Sequence, residues 1–454
     1  MGSDGARLKA LRLDAFKSFK GAEVPINPVT FLTGLNSSGK SNVLDGLEVL
    51  ARMASGLDMA EALDGAGTVR GPVRGGSRGC APHGESSFSI GCTVEKPVSG
   101  DIYNYDVEVQ VLPELRLVAE RLVGPGISVR SGTRSRAATL FQTKERDDAA
   151  AFITADVFNG KRGADPSLPF RDTRLILTQI PTSIGGVNRA ERSVIEAAET
   201  VRGALQSVYH LDPVPSLMRA YVPKGNNELR RTGENISATL FQVLKESPEV
   251  FEAIEQLVAD VAGRNISGLS FSTSDLGDVM LALTEEASNL TPAREMSDGL
   301  LRFLAIATTL KSPTSNLDIN SQLSTLDESG PAPAVQLVIE EVENGLHPSQ
   351  AQRIIGLLRE AVSERGTQCL VTTHSPAILD GIEGNFIDSV LVCFRDEATG
   401  LSHVSLLQDL PDYTRELSRQ SLGKAITDGK LVDDSSTQSR FADLNSLFGI
   451  ESGD

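Results

Sequence analysis

Val29-Thr30-Phe31-Leu32-Thr33-Gly34-Leu35-Asn36-Ser37-Ser38-Gly39-Lys40-Ser41-Asn42 decides the fold. Residues 29–33 form a short β-prone run that stops at a glycine. From Lys40 onward Val43, Leu44, Leu47, Leu50 and Met53 recur at helical spacing. Between strand and helix lies G-x-x-x-x-G-K-[ST], the phosphate-loop pattern, with every fixed position filled. Its glycines let backbone N–H groups curl around phosphate oxygens, and the helix N-terminus adds a favourable dipole. Gly34, Asn36, Ser37, Ser38, Gly39, Lys40, Ser41 and Asn42 are therefore expected to hold a nucleotide, ATP. Lys40 would neutralise its β- and γ-phosphates, and the Ser41 hydroxyl would ligate Mg²⁺.

Working outward, a partner for this loop stands at Leu337-Val338-Ile339-Glu340-Glu341-Val342-Glu343, an apolar run ending in consecutive carboxylates. Alone this could be an acidic strand end facing water. Beside a phosphate loop it reads as a Walker B segment, because strand ends of such sheets lie next to the loop. Glu340 would then hold the Mg²⁺ shell through water, and Glu341 would be the general base on the attacking water. Met296-Ser297-Asp298-Gly299-Leu300 opens a helix with a hydroxyl and a glycine, either an ordinary cap or a second anion-binding N-terminus. One phosphate loop has no use for a second, whereas a nucleotide sandwiched between two subunits does. Leu370-Val371-Thr372-Thr373-His374-Ser375-Pro376 places a histidine just past a buried strand, where it is either structural or a contact to the γ-phosphate.

The remaining chain supports an α/β fold. Residues 8–13 alternate apolar and basic, and 86–123 carry alternating runs that predict an antiparallel sheet. Helices are predicted over 190–205, over 235–262 with a break at Ser247-Pro248, over 297–310 and over 349–362. Strands are predicted over 268–272, 279–284, 336–339 and 368–372. This divides the chain into an N-terminal lobe (1–130), an insertion (131–235), a C-terminal lobe (236–410) and C-terminal helices with a polar tail (411–454). The polar stretch 311–334 reads as a long connection.

Composition bounds the function. The net charge of −17 argues against tight, sequence-independent coating of nucleic acid, although Arg70, Arg74 and Arg78, or Arg230 and Arg231, could line a local basic groove. Absence of Trp makes a base-stacking platform improbable. Four scattered cysteines without ligand spacing, no signal-like N-terminus and no membrane-length apolar run suit a cytoplasmic protein.

As a set, these stretches resemble the RecF/SMC/OLD group of ABC-type ATPases, especially the short single-chain bacterial members. The likeness rests on Phe16-Lys17-Ser18-Phe19, Asn36 to Asn42, Ser297 to Arg302, Glu340 to Pro348 and Thr373-His374-Ser375, in the family's order. It implies an SMC-head-like fold with mixed sheets, a signature lobe and a head-to-tail homodimer, with higher assembly open. It further implies that Ser297, Asp298 and Gly299 act on the other subunit's nucleotide, that Glu343 to His347 form the D-loop at the seam, and that His374 is the switch histidine. The metal-dependent nuclease domain of OLD relatives is not legible after His374, and Asp396 and Asp412 make no acidic cluster. The resemblance thus suggests the motor of an antiviral defence complex with a separately encoded nuclease or toxin. The alternatives are a RecF-like DNA-repair ATPase and a non-cycling, ATP-stabilised scaffold.

Overall fold

The computed structural model describes residues 5–427, apart from 66–70, 146–151, 263–265, 286–288, 320–333, 348–349, 383, 411–412, 414 and 416–417. Arg70, Pro348, most of the 311–334 connection and the tail from Leu431 therefore lie outside the described residues.

Alternating burial shapes β1 (Arg7–Phe16), which reverses at Lys17, φ 50, into β2 (Phe19–Pro25). β3 (Val29–Thr33) is buried at every position and leads through the loop into α1 (Lys40–Met53) and α2 (Met59–Asp64). An antiparallel wing follows: β4 (Ser87–Lys96), β5 (Asp101–Gln110), β6 (Arg116–Ile127), β7 (Arg134–Thr143), β8 (Ile153–Val157) and β9 (Ser167–Phe170). Next come α3 (Ile176–Ser183), α4 (Arg189–Gln206) and the four-residue β10 (Val208–Leu211). α5 (Ile236–Glu246) and α6 (Pro248–Ala262) pack with a small antiparallel sheet of β11 (Ile266–Thr273), β12 (Val279–Glu285) and β13 (Leu290–Pro292). The chain then alternates α7 (Asp298–Lys311), β14 (Gln336–Ile339), α8 (Ala351–Arg365) and β15 (Gln368–Thr372). It closes with α9 (Pro376–Asp380), β16 (Val390–Arg395), β17 (Ser402–Leu406) and α10 (Leu422–Thr427).

Among the described residues one sheet runs β10-β14-β15-β3-β16-β17-β2-β1-β4-β5-β6-β7-β8-β9. Its β10 to β16 end is parallel, and from β1 outward it is antiparallel. Strands from both chain ends thus meet around the phosphate loop. The parallel strands read as unbroken apolar runs because both faces are covered. Leu32, Val338, Leu370 and Leu391 face a core that includes α1 and α4. Phe31, Leu337, Ile339, Val371 and Val392 face a second core that includes α7 and α8.

The stretch 131–235, expected as an insertion, supplies β7 to β9 to the wing and β10 to the parallel core beside β14. It is built into the sheet rather than set upon it. Its strands β8, β9 and β10 are only four or five residues long, which leaves little periodicity to read in them. The start of the 311–334 connection folds back, and Leu317 forms a parallel bridge with Leu229.

Candidate active site

The parallel register brings the C-terminal ends of three strands to one edge. Ile339 lies level with Val371 and Val371 with Phe31, so the loop after β3, Glu340 after β14 and His374 after β15 share that edge. In the loop, Gly34 (φ 143) and Gly39 (φ 114) occupy conformations open to glycine. A Cβ on Gly34 would lie 2.0 Å from the Cys393 carbonyl oxygen, and one on Gly39 would lie 2.5 Å from Ser402 Oγ. Ser37 also has positive φ, at 64. Lys40 is 9 % exposed, and its Nζ donates to the carbonyls of Gly34 (2.7 Å) and Leu35 (3.0 Å), which centres its charge in the cradle. Burial draws its pKa below the usual lysine range, opposed by acidic neighbours including Glu341 and Glu343. Ser38 Oγ is buried with no hydrogen-bond partner. The Asn42 amide donates to Ser18 Oγ at 2.8 Å, and Ser18 Oγ meets Ser402 Oγ at 2.7 Å. This ties the start of α1 to the β1–β2 turn and to β17.

Glu340 is surrounded by cations. Its Oε1 lies 3.3 Å from His210 Nε2, 3.7 Å from Arg231 Nη2 and 3.9 Å from Arg74 Nη2. Neither His210 Nε2 nor Glu340 Oε1 completes an aligned hydrogen bond, so their contact is one of charge. Burial resists ionisation of Glu340, yet His210, Arg74 and Arg231 together hold its carboxyl below the usual range. Behind it Glu48 on α1 receives Arg231 (2.9 Å) and Arg52 (2.6 Å) and lies 3.5 Å from His210 Nδ1. Burial opposes the Glu48 charge as well, and His210, Arg231 and Arg52 override it, holding the pKa far below the ordinary value. For His210, burial works against charge while Glu340 and Glu48 on either side raise the pKa. Asp45, also on α1, binds Lys17 at 2.6 Å and Arg74 at 2.9 Å.

Glu341 has left-handed backbone, φ 43, unusual for a residue with a side chain. Two bonds to β15 hold it there: its N–H donates to Thr372 Oγ1 (2.8 Å), and the Val342 N–H donates to the Thr372 carbonyl (3.2 Å). Its carboxylate accepts from the Asn344 amide. Two residues on, Glu343 Oε1 accepts the His374 backbone N–H at 2.6 Å and lies 3.1 Å from His374 Nδ1. A cleft of about 310 Å³ opens here, lined among others by Glu343, Asn344, His347, His374 and Ser375. A larger concavity of about 630 Å³ lies on the wing, where Asp106, Glu108, Arg121 and Lys144 mix their charges. The smaller cleft lies beside the Glu343–His374 pair, next to rather than within the phosphate loop.

The third expected element packs against the turn after β14 and makes no polar contact to the phosphate loop among the described residues. Ser297 caps α7 by accepting the Leu300 N–H at 3.3 Å, and Asp298 pairs with Arg219 at 2.8 Å. Among the described residues no hydrogen bond or ion pair joins Ser297 or Asp298 to residues 34–42. Gly299 abuts the turn after Glu341, where an added Cβ would meet the Gly345 carbonyl oxygen at 1.9 Å.

Two expectations change. Arg74 and Arg231, read as lining a basic groove, are paired with carboxylates at the site, because sequence shows a charge but not its partner. Arg230 pairs with Glu234 at 3.4 Å. His210, Glu48, Thr372 and Arg219 were not singled out by sequence reasoning, and none carries a motif signal.

The donor types suit Mg²⁺, a hydroxyl on Ser41 and a carboxylate on Glu340, although Glu340 Oε1 itself faces His210, Arg231 and Arg74. Among the described residues no group of three His, Cys, Asp or Glu could hold a metal ion alone.

Fold and site define a P-loop ATPase of the ABC/SMC-like class. Residues 29–136 and 143–380 match the AAA_21 family, described as "AAA domain, putative AbiEii toxin, Type IV TA system", and the chain belongs to that family. No curated protein matches the chain. Solved structures similar to it include the SMC head domain from Thermotoga maritima, 15 % identical over 88 % of this chain and 98 % of that one, TM-score 0.38. Another is the SMC head bound to the C-terminal winged-helix domain of ScpA, 13 % identical over 88 % and 97 %, TM-score 0.42. A third is the Pyrococcus furiosus SMC head with an extended coiled coil bound to the C-terminal domain of ScpA, 12 % identical over 91 % and 100 %, TM-score 0.41. Among the described residues no helix is long and apolar enough to cross a membrane.

Proposed function

We propose that this chain binds ATP at residues 34–42 and hydrolyses it in sites that two copies complete head to tail. The observation that supports this is the split arrangement. Phosphate loop, Glu340, Glu341 and His374 converge on one edge, while the capped N-terminus of α7 makes its polar contacts elsewhere. An anion-binding helix start with no phosphate of its own suits a nucleotide held by another copy. In that site Lys40 neutralises the β- and γ-phosphates, and Ser297 with the Gly299 backbone grips the γ-phosphate from the second copy. Glu341 takes a proton from the attacking water as the γ-phosphoryl group passes to its oxygen and ADP leaves. Mg²⁺ supplies charge neutralisation there, and Ser41 together with Glu340, the latter through water, would hold it. His374 contacts the γ-phosphate and registers its loss.

The family's description names an AbiEii toxin of a Type IV TA system, which supports a place in defence. That this chain is the cytoplasmic motor or sensor half, with a separately encoded effector, is our own inference from its ATPase motifs. The test of the shared site is to mix Lys40→Ala with Ser297→Arg. Each variant alone should be inactive, and the mixture should recover the turnover of one intact site per heterodimer. Heterodimers that form without recovery would sink the composite site.

A further inference from the structure

The turn after β14 does more than present Glu341. Glu343 is largely buried, with 12 % of its side chain exposed, while the His374 side chain is 50 % exposed and faces the cleft. One oxygen of Glu343 makes two contacts to the same residue: the His374 backbone N–H at 2.6 Å and Nδ1 of its ring at 3.1 Å. The ring contact is one of proximity and charge rather than an aligned hydrogen bond, and because a carboxylate only accepts, it favours a hydrogen on the facing Nδ1. The two contacts restrain different freedoms, one the main chain after β15 and the other the rotation of the ring. Glu343 is itself held in place by the Val342 N–H to Thr372 carbonyl bond beside it and by the left-handed backbone of Glu341. Its second oxygen, Oε2, is buried with no hydrogen-bond partner, so the acid is committed to His374 through Oε1.

We propose that Glu343 is a positioning residue which fixes His374 as the Nδ1–H tautomer and turns Nε2 towards the cleft. Neutral His374 then offers a bare Nε2 lone pair, able to accept from a water. With a second proton it offers an Nε2–H donor to a phosphate oxygen. In either state the other nitrogen is already engaged, so the ring does not flip between tasks. A carboxylate orienting a histidine through Nδ1 is a general way to set a tautomer. This rests on the proposed function only for what Nε2 acts upon; the clamp itself is a property of the free chain.

The test separates the two. The full chain, labelled with ¹⁵N at its five histidines, is recorded without nucleotide, and His374→Gln assigns the signal. Wild type should show the Nδ1–H form of His374. Glu343→Gln keeps an acceptor for the backbone N–H and removes the charge, and should shift His374 towards the Nε2–H form at an unchanged melting midpoint. Its kcat should fall roughly tenfold to a hundredfold with KM for ATP within about twofold, the loss usual for an orienting partner. Glu343→Asp should recover part of that kcat. A wild-type tautomer in Glu343→Gln overturns the proposal whatever the turnover. A shifted tautomer beside full turnover in His374→Ala upholds the clamp and refutes the hydrolytic role given to His374.

Discussion

Two glutamates, one on α1 beneath the parallel edge and one on β6 in the antiparallel wing, titrate in opposite directions. Glu48, beneath the parallel edge, has Arg52, Arg231 and His210 around it, and they overcome burial to keep it ionised. Glu120, on β6 in the antiparallel wing, is 1 % exposed and has no cation among its hydrogen-bond partners. It accepts the Ile176 and Leu177 N–H groups at 2.6 and 2.7 Å, capping α3, and the Tyr105 hydroxyl at 2.9 Å. Burial there outweighs these bonds and pushes its pKa up to about 7. The difference separates two ways of building. The parallel edge is a lattice of opposed charges. The wing satisfies its buried acid with neutral donors, which hold shape and nothing more.

The same change, Glu to Gln, tests this division at both ends. At the edge, Glu341→Gln should retain ATP binding and lose turnover by a factor on the order of 10² or more, since it removes a base while keeping shape. Phosphate release measured beside nucleotide titration checks it, and undiminished turnover would remove Glu341 from the chemistry.

In the wing, Glu120→Gln should leave turnover alone and alter how stability depends on pH. The folded-state pKa of Glu120, about 7, lies above its ordinary 4.5, so the folded state binds the proton more tightly. Its stabilising contribution is full below the ordinary value and is lost as pH rises through about 7. Between pH 5.5 and 8 that loss is about 2 kcal/mol, and Glu120→Gln should abolish it. Denaturant midpoints of the two proteins at both pH values measure the difference. An identical pH slope would show that the wing's acid is not held as described.

The smallest effect belongs to Arg231, whose side chain is 37 % exposed and reaches both Glu48 and Glu340. Arg231→Ala should cost about 1 kcal/mol at neutral pH, solvent screening keeping it below the cost of breaking a fully buried pair. The destabilisation should shrink once Glu48 is also made Gln, in a double-mutant cycle, the contact with Glu340 accounting for what is left. Additive losses would mean the charges at the edge act independently.

The elements that carry the site were the most legible. β3, β14 and β15 span the runs predicted from sequence, because strands buried on both faces are short apolar runs cut off by polar residues. The break between α5 and α6 falls at Ser247, where Pro248 starts a new helix. What stayed hidden depends on residues brought together from afar. Val208-Tyr209-His210-Leu211 carries no motif, and only its parallel register with β14 sets His210 beside Glu340. Arg74 and Arg231 announce charge without announcing partners. Glu343 stands in a legible turn, but its hold on a histidine 31 residues later needs β14 and β15 to be neighbours. The wing's later strands were illegible for another reason: β9 and β8 are four and five residues long, too short for a period to emerge.

Gly299 and Gly345 meet with no side chain between them. Backbone on backbone is the least compressible joint a protein can make, because no rotamer can give way. The start of α7 and the turn bearing Glu341 therefore form one mechanical part, although about forty residues of chain separate them. A single methyl group at position 299 would lie 1.9 Å from the Gly345 carbonyl oxygen, so the two backbones would have to part to admit it.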